Sequence, residues 1–197
     1  VVSTPRAAVR VGAASSTRSL LTVPVRWTWT VQVGSGTTTK RIDRTLAVPV
    51  SGTTAASYRA SAASISGTSL SPTGTAVARY LAEKPSASVR YAKAWASARA
   101  SGATGSILRR TTALRGKVSA TVTGRSVGVL LQRGPAAGRV AVYLDGRKAA
   151  VLDLRAGSVS TRLAWASSLA TTRSHTVTVV NLSKGKRLAF DGLVVLR

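Results

Sequence analysis

Apolar and polar residues alternate strictly from Val23 to Val33 (V-P-V-R-W-T-W-T-V-Q-V), with Val23, Val25, Trp27, Trp29, Val31 and Val33 in one set and Pro24, Arg26, Thr28, Thr30 and Gln32 in the other. A period of two belongs to a β-strand, whose side chains alternate between faces, so this run predicts a strand with one apolar face carrying two adjacent tryptophans. Turned outward, such a face is an aromatic platform for sugar rings or unstacked bases; turned inward, it is core. A sandwich strand buries one face, and the face with Arg26, Thr28 and Gln32 is the one suited to water. The tryptophans therefore read as core, each burying on the order of 200 Å². At about 25 cal/mol/Å² that is roughly 5 kcal/mol of gross stabilisation apiece.

The rest of the chain repeats the pattern in short runs separated by Gly, Pro, Asn or Asp, as in all-β sandwiches. Strands are predicted near Ala8–Val11, Arg44–Val50 and Ala76–Leu81, with weak strands or long loops between Ser51 and Gly74 (Ala56–Ala60, Ala62–Ile65). After Glu83-Lys84-Pro85-Ser86 the alternation sharpens, which places a domain boundary between residues 85 and 86. Strands follow near Val89–Tyr91, Ser106–Arg109, Val118–Thr123, Val127–Leu131, Arg139–Leu144, Arg147–Leu154, Arg162–Trp165, Thr176–Leu182 and Leu188–Leu196. Val127–Leu131 is apolar throughout except for Gly128, as expected of a strand buried on both faces. Asp145-Gly146, between two alternating runs, predicts a two-residue hairpin whose turn needs positive φ at both positions. About eight antiparallel strands in this half suit a two-sheet jelly roll. The expected fold is all-β: two consecutive β-sandwich domains, residues 1–85 and 86–197, the second a jelly roll.

Composition narrows the chemistry. The chain has 197 residues, 44% of them hydrophobic, enough for a packed core. It has no Cys, one His (His175) and five acids (Asp43, Glu83, Asp145, Asp153, Asp191), which leaves little for acid-base or metal chemistry. No cofactor and no metal site are implied. No apolar run is long enough for a membrane-spanning helix. The absence of Met, even at position 1, predicts a processed product or a fragment whose start lies upstream, with a removed secretory signal as one explanation.

Charge is the largest departure from the ordinary: 22 Arg and 7 Lys against five acids give a net +24, and both sides of Pro85 are basic. Such a field attracts polyanions and repels a like copy. GC-rich coding bias would also raise Arg, but would not by itself deplete Asp and Glu.

In order along the second half stand Val127–Leu131, Gly134-Pro135, Gly138, V-A-V-Y-L-D-G (Val140–Gly146), V-L-D-L (Val151–Leu154), H-T-V-T-V (His175–Val179) and F-D-G-L-V-V (Phe190–Val195). This set resembles the C-terminal jelly-roll module, of galactose-binding or carbohydrate-binding type, found in secreted and cell-wall proteins of GC-rich Gram-positive bacteria. Tyr91 and Trp95 stand where that module often has its leading aromatic residues, and the likeness spans Ser86–Arg197. The first half is similar in outline to the immunoglobulin-like or fibronectin type III repeat that commonly precedes it. The resemblance implies a non-catalytic accessory domain.

Candidate site residues follow from charge and aromaticity. Basic pairs at Lys40-Arg41, Arg109-Arg110, Arg115/Lys117, Arg147-Lys148 and Lys184/Lys186/Arg187 lie in or beside turns, where they discourage edge-to-edge strand pairing or grip polyanions through carboxylate or phosphate contacts. Trp95 and Trp165 read as core or rim packing, and as the better candidates for an aromatic ligand contact. The expected ligand-binding set is Arg109, Arg110, Arg115, Lys117, Lys184, Lys186, Arg187, Trp95 and Trp165. His175 reads as a structural histidine capping a turn and Asp145 as a turn residue. Asp153 and Asp191 either pair with arginines or meet at a cation or sugar-hydroxyl site. No helix-turn-helix, zinc finger, RNA-recognition signature or Walker loop is present.

The function expected is a non-enzymatic secreted or cell-surface module binding an anionic polysaccharide or cell-wall polymer through basic loops, with non-specific nucleic acid as a further partner. The alternative is a structural subunit, a homo-oligomer or polymer, of an extracellular filament, virion or wall-associated layer. An enzyme using His175 with Asp153 or Asp191 is the third reading.

Overall fold

A computed structural model describes residues 2–12, 15–16, 20–49, 56–60, 63–65, 68–70 and 74–197. Of the weak strand expected at Ala62–Ile65, Ala62 lies outside the described residues. The first half contains β1 (Arg6–Val9), β2 (Ser15–Ser16), β3 (Leu20–Val33), β4 (Gly36–Pro49), β5 (Ala56–Ala60), β6 (Ala63–Ile65), β7 (Thr68–Leu70) and β8 (Gly74–Ala82). The second contains β9 (Val89–Ala92), β10 (Ala96–Arg99), a single 3-10 turn at Thr104–Ser106, β11 (Ile107–Thr111), β12 (Lys117–Thr123), β13 (Ser126–Arg133) and β14 (Arg139–Leu144). It ends with β15 (Arg147–Asp153), β16 (Ser160–Ser168), β17 (Ser174–Asn181) and β18 (Leu188–Leu196).

Strands β11 to β18 alternate between two antiparallel sheets, ordered β11-β18-β13-β16 and β12-β17-β14-β15. That interleaving is a jelly roll. β10 extends the first sheet beside β11, and β9 extends the second beside β12. Between the sheets lies one apolar cluster that includes Val129, Leu131, Val142, Val179 and Phe190. The hairpin expected at Asp145-Gly146 is present, with φ of 51° and 78° and Leu144 paired to Arg147. Ala-Ser-Ala-Arg in β10 carries too little apolar alternation to announce a strand, and its pairing with β11 is what forms it.

The apolar face of β3 points inward. Trp27 and Trp29 are 0% and 2% exposed, in one core with Leu130, Leu163, Val194 and Leu196 of the jelly roll. β1, β2, β3 and β4 thus form a third layer on the outer face of the sheet that contains β13 and β18. This explains why β13 is buried on both faces. Contact between the layers is close: a Cβ on Gly128 would lie 2.6 Å from Leu163 Cδ1 and 3.0 Å from Val9 Cγ1. The Val9 amide donates to Ser126 Oγ at 2.8 Å.

β8 pairs with β18, Leu81 opposite Leu193, so one sheet crosses the position expected for a domain boundary. Cutting at residue 85 would part these strands. β4 begins at Gly36 rather than near Arg44, because β3 supplies a hydrogen-bonding partner all the way to the turn at Gly34, whose φ is 58°.

β18 changes phase midway. Leu130 faces Gly192 while Leu131 faces Phe190, which leaves Asp191 as the extra residue of a β-bulge. On one side of it Leu188 and Phe190 enter the core between the jelly-roll sheets, and on the other side Leu193 and Val195 do.

Candidate functional site

Arg110 stands on β11 opposite Ala96 of β10 and Ala189 of β18. It faces away from the sandwich interior, on the side where Leu108 packs against Ala189 and Ala103. Trp95 immediately precedes β10. Its indole nitrogen donates to the Ala92 carbonyl at 3.1 Å and its ring packs 4.9 Å from that of Tyr91, tilted by 58°. The Tyr91 hydroxyl in turn donates to the Glu83 carbonyl, so the indole is held from behind in one orientation. Arg187 precedes β18, its amide donating to Ala136 O at 2.9 Å and its carbonyl accepting from Gly138 N. Trp95, Arg110 and Arg187 together line a surface hollow of about 500 Å³.

Two further hollows adjoin it, of about 420 and 140 Å³. Arg110 and Arg187 line the larger as well, joined by Arg99 and Gln132. Gln132 and Arg187 continue into the smaller, where Arg133 is added. Four arginines and no carboxylate line the three hollows. A guanidinium offers a planar fork of donors that matches a carboxylate bidentately, and a fixed indole offers an apolar surface to the face of a sugar ring.

The remaining expected residues go elsewhere. Arg109 faces the other way, its guanidinium carbon 4.9 Å from the Tyr91 ring centroid, and its Nε is buried without a hydrogen-bond partner. Trp165 is 8% exposed within the core between the jelly-roll sheets, so its ring packs and does not meet solvent. Arg115, Lys117, Lys184 and Lys186 are exposed around two turns that Asn181 ties together. Fully buried, Asn181 donates through Nδ2 to Ala113 O at 3.2 Å and Lys186 O at 3.0 Å, and accepts from Ser183 N at 3.1 Å. Sequence reasoning passed over Asn181, Arg99, Gln132 and Arg133; register alone shows that Gln132 and Arg110 share a face.

The acids are structural. Asp153 bonds Arg155, with Oδ2 2.7 Å from Nη2, and that contact pulls its carboxyl down to about 2. Asp191 is buried at the bulge, accepting from Thr104 N at 3.0 Å and Thr104 Oγ1 at 2.7 Å. The two carboxylates do not share a site, each having its own partners. No group of three or more His, Cys, Asp or Glu suited to a metal occurs among the described residues.

His175 caps the hairpin turn. Its Nδ1 lies 2.7 Å from Asp145 Oδ2, and its Nε2 lies 3.2 Å from Thr171 O and 3.4 Å from Thr171 Oγ1, with the ring 4% exposed. Asp145 also accepts from Thr176 N at 2.8 Å; that amide and the imidazole hold its carboxyl below the usual range. Asp145→Ala is expected to cost about 1–3 kcal/mol in urea unfolding, through two lost hydrogen bonds and a β-carbon left at positive φ without Asp's local bonding. Because the native carboxyl is depressed, its contribution is present above about pH 4 and fades as the pH falls. Asp145→Asn, which tolerates the same backbone, should lose less.

No protein-family model matches this chain, and no curated protein matches it. Among solved structures, a family 35 carbohydrate binding module from Clostridium thermocellum is 10% identical at a TM-score of 0.47, covering 60% of this chain and 96% of that one. The CBM36-1 domain of a multidomain xylanase from the hindgut metagenome of Trinervitermes trinervoides is 13% identical at 0.42, covering 59% and 94%. A Paenibacillus xanthan lyase is 11% identical at 0.46, covering 92% of this chain and 21% of that one. At TM-scores below one half these likenesses leave fold and ligand to be read from the chain itself.

Proposed function

We propose that the protein is a non-catalytic binding module, secreted or displayed at the cell surface, that holds an acidic polysaccharide at the hollow formed by Trp95, Arg110 and Arg187. One observation carries the reading: a half-buried indole fixed by its own hydrogen bond meets two guanidiniums where no carboxylate competes. Exposed arginines scattered evenly would serve only as a solvated surface. Here the sugar face has a partner in Trp95, the acid group has partners in Arg110 and Arg187, and the net +24 draws the polymer in.

Affinity electrophoresis through gels containing polygalacturonate or neutral xylan tests this. The protein is expected to be retarded by the acidic polymer and to pass freely through the neutral one. Trp95→Ala and the double variant Arg110→Ala/Arg187→Ala should each weaken retardation about tenfold or more. Raising NaCl from 50 to 500 mM should weaken it several-fold, because screening shortens the reach of the exposed guanidiniums. Retardation of the Trp95→Ala variant equal to wild type, or equal retardation by duplex DNA, would leave bulk charge as the sole cause and overturn the proposal.

A further inference from the structure

We infer that the bound polymer runs across strands β10, β11, β18 and β13 as an extended, internally bound chain, contacting several sugars from Trp95 at one end to Arg133 at the other. The inference rests on the acidic-polysaccharide reading above and adds the direction, length and mode of binding.

The argument is one of register. Ala96 of β10, Arg110 of β11 and Ala189 of β18 stand opposite one another, and Gln132 of β13 stands opposite Thr161 of β16. Leu131 pairs with Phe190, which places Gln132 beside Ala189 and joins the two sets into one row. Residues in register share a face, so the row crosses five strands on the side away from the jelly-roll core. Neighbouring strands are about 4.8 Å apart, so the part of the row from β10 to β13, where the named contacts end, is roughly 14 Å long. A single sugar ring fills only a fraction of that.

The row contains alanines where it must be low and polar side chains where it can grip. Ala189 is covered by Leu108 and Ala103, so Leu108 and Gln132, the latter 8% exposed, line the middle hollow beside Arg110. The three hollows along it share lining residues in sequence: Arg110 links the first to the second, Gln132 links the second to the third, and Arg187 borders all three. Trp95 lies at the β10 end; at the other, Arg133, the last residue of β13, lines the third hollow and donates through Nη2 to Arg155 O at 3.3 Å. Arg99 stands on β10 and Arg187 borders all three hollows, so cationic groups recur along the path as an acid group recurs on each sugar of a polyuronate. On the other half of the same sheet the outer face is covered by the layer containing β1 and β3, with Leu130 and Val194 in that core, which leaves the three hollows as the place where a chain can lie.

Calorimetric titration with galacturonate oligomers of increasing length, using the intact chain, tests the inference. Affinity is expected to rise at least tenfold from the dimer to the hexamer and then level off. Arg133→Ala should leave the dimer unaffected and weaken the hexamer about three- to tenfold, whereas Trp95→Ala should weaken both. Equal affinity for dimer and hexamer, or an Arg133→Ala effect that is absent at every length, would overturn the groove while leaving a local site at Trp95 intact. Failure of every acidic oligomer and of polygalacturonate to bind would overturn both. Circular dichroism of each variant separates lost binding from lost folding, and Arg133→Lys, which keeps a charge on a long stem, should recover part of the hexamer affinity.

Discussion

Gly192→Ala is expected to destabilise the protein severely. A Cβ at this position would lie 2.6 Å from the Leu81 carbonyl oxygen, 2.6 Å from Tyr80 Cε2 and 2.7 Å from Tyr80 Oη. The first contact is to backbone, and Gly192 is paired on both sides, with Ala82 of β8 and Leu130 of β13. Relief therefore requires β8 to move off β18, which also breaks the bond from the Tyr80 hydroxyl to the Asp191 carbonyl at 2.7 Å. A loss of about 3–5 kcal/mol is expected, the range of severe overpacking. In a chain of this size that is a fall in Tm of roughly 10–15 °C. Gly157→Ala is the control, since a Cβ there meets nothing within 4 Å, and it should shift stability by less than about 0.5 kcal/mol. Thermal and urea unfolding of the two variants decide the matter. A Gly192→Ala protein as stable as wild type would mean that β8 does not lie against the bulge.

The second large effect is a dependence of stability on pH that runs opposite to that of ordinary surface carboxylates. Burial pushes the Asp191 carboxyl up to about 7, against the opposing influence of the two Thr104 hydrogen bonds and with a further push from Glu83. Glu83 is itself raised, mainly by burial. In the unfolded chain an Asp titrates near 4. The folded state therefore holds the proton more tightly. Its contribution is complete below about pH 4 and is lost as the pH climbs through about 7. Each unit of upward shift corresponds to about 1.4 kcal/mol, so stability should fall by roughly 2–4 kcal/mol between pH 4.5 and 8.5. Asp191→Asn keeps an oxygen to accept from Thr104 N and carries no titrating proton. It should flatten most of that slope, leaving the smaller part due to Glu83, and should exceed wild type in stability at pH 8.5. Urea unfolding at four or five pH values measures both slopes. An Asn variant with the wild-type slope would show that the carboxylate is ionised throughout and that Thr104 compensates its burial.

These two positions show how unevenly the fold is written along the chain. Alternation located β12 and β17 closely, because each sets a buried face against a more exposed one, and β13, β14 and β18 were legible as apolar runs; β15 alternates in sequence although none of its residues is buried. The Asp145-Gly146 hairpin was legible because a tight turn with two positive φ values admits few residue types. β10 was not legible, since its four residues bury little and owe their conformation to the neighbouring β11. The bulge at Asp191 was equally hidden: an acid inside F-D-G-L-V-V signals something unusual, but only the offset in pairing against β13 shows that it is the inserted residue.

The candidate site was legible in its parts and not in its assembly. Trp95, Arg110 and Arg187 were all named from charge and aromaticity, yet Arg109 stands one residue from Arg110 and faces the opposite side, over Tyr91. A basic dipeptide in a strand always splits this way, and composition cannot say which half meets the ligand. Arg99, Gln132 and Arg133 join the site through pairings between residues far apart in the chain.

From its sequence alone, then, the protein is all-β, rich in arginine, poor in acid-base and metal-binding side chains, and bound to bury Trp27 and Trp29. These are matters of residue type and local period, which act over a few positions. Which guanidiniums converge, where β8 crosses to the C-terminal strand, and why Gly192 and Asp191 stand as they do were decided only by tertiary structure. Strand pairing and sheet stacking couple residues separated by a hundred positions, and a one-residue offset in register exchanges the two faces of everything beyond it.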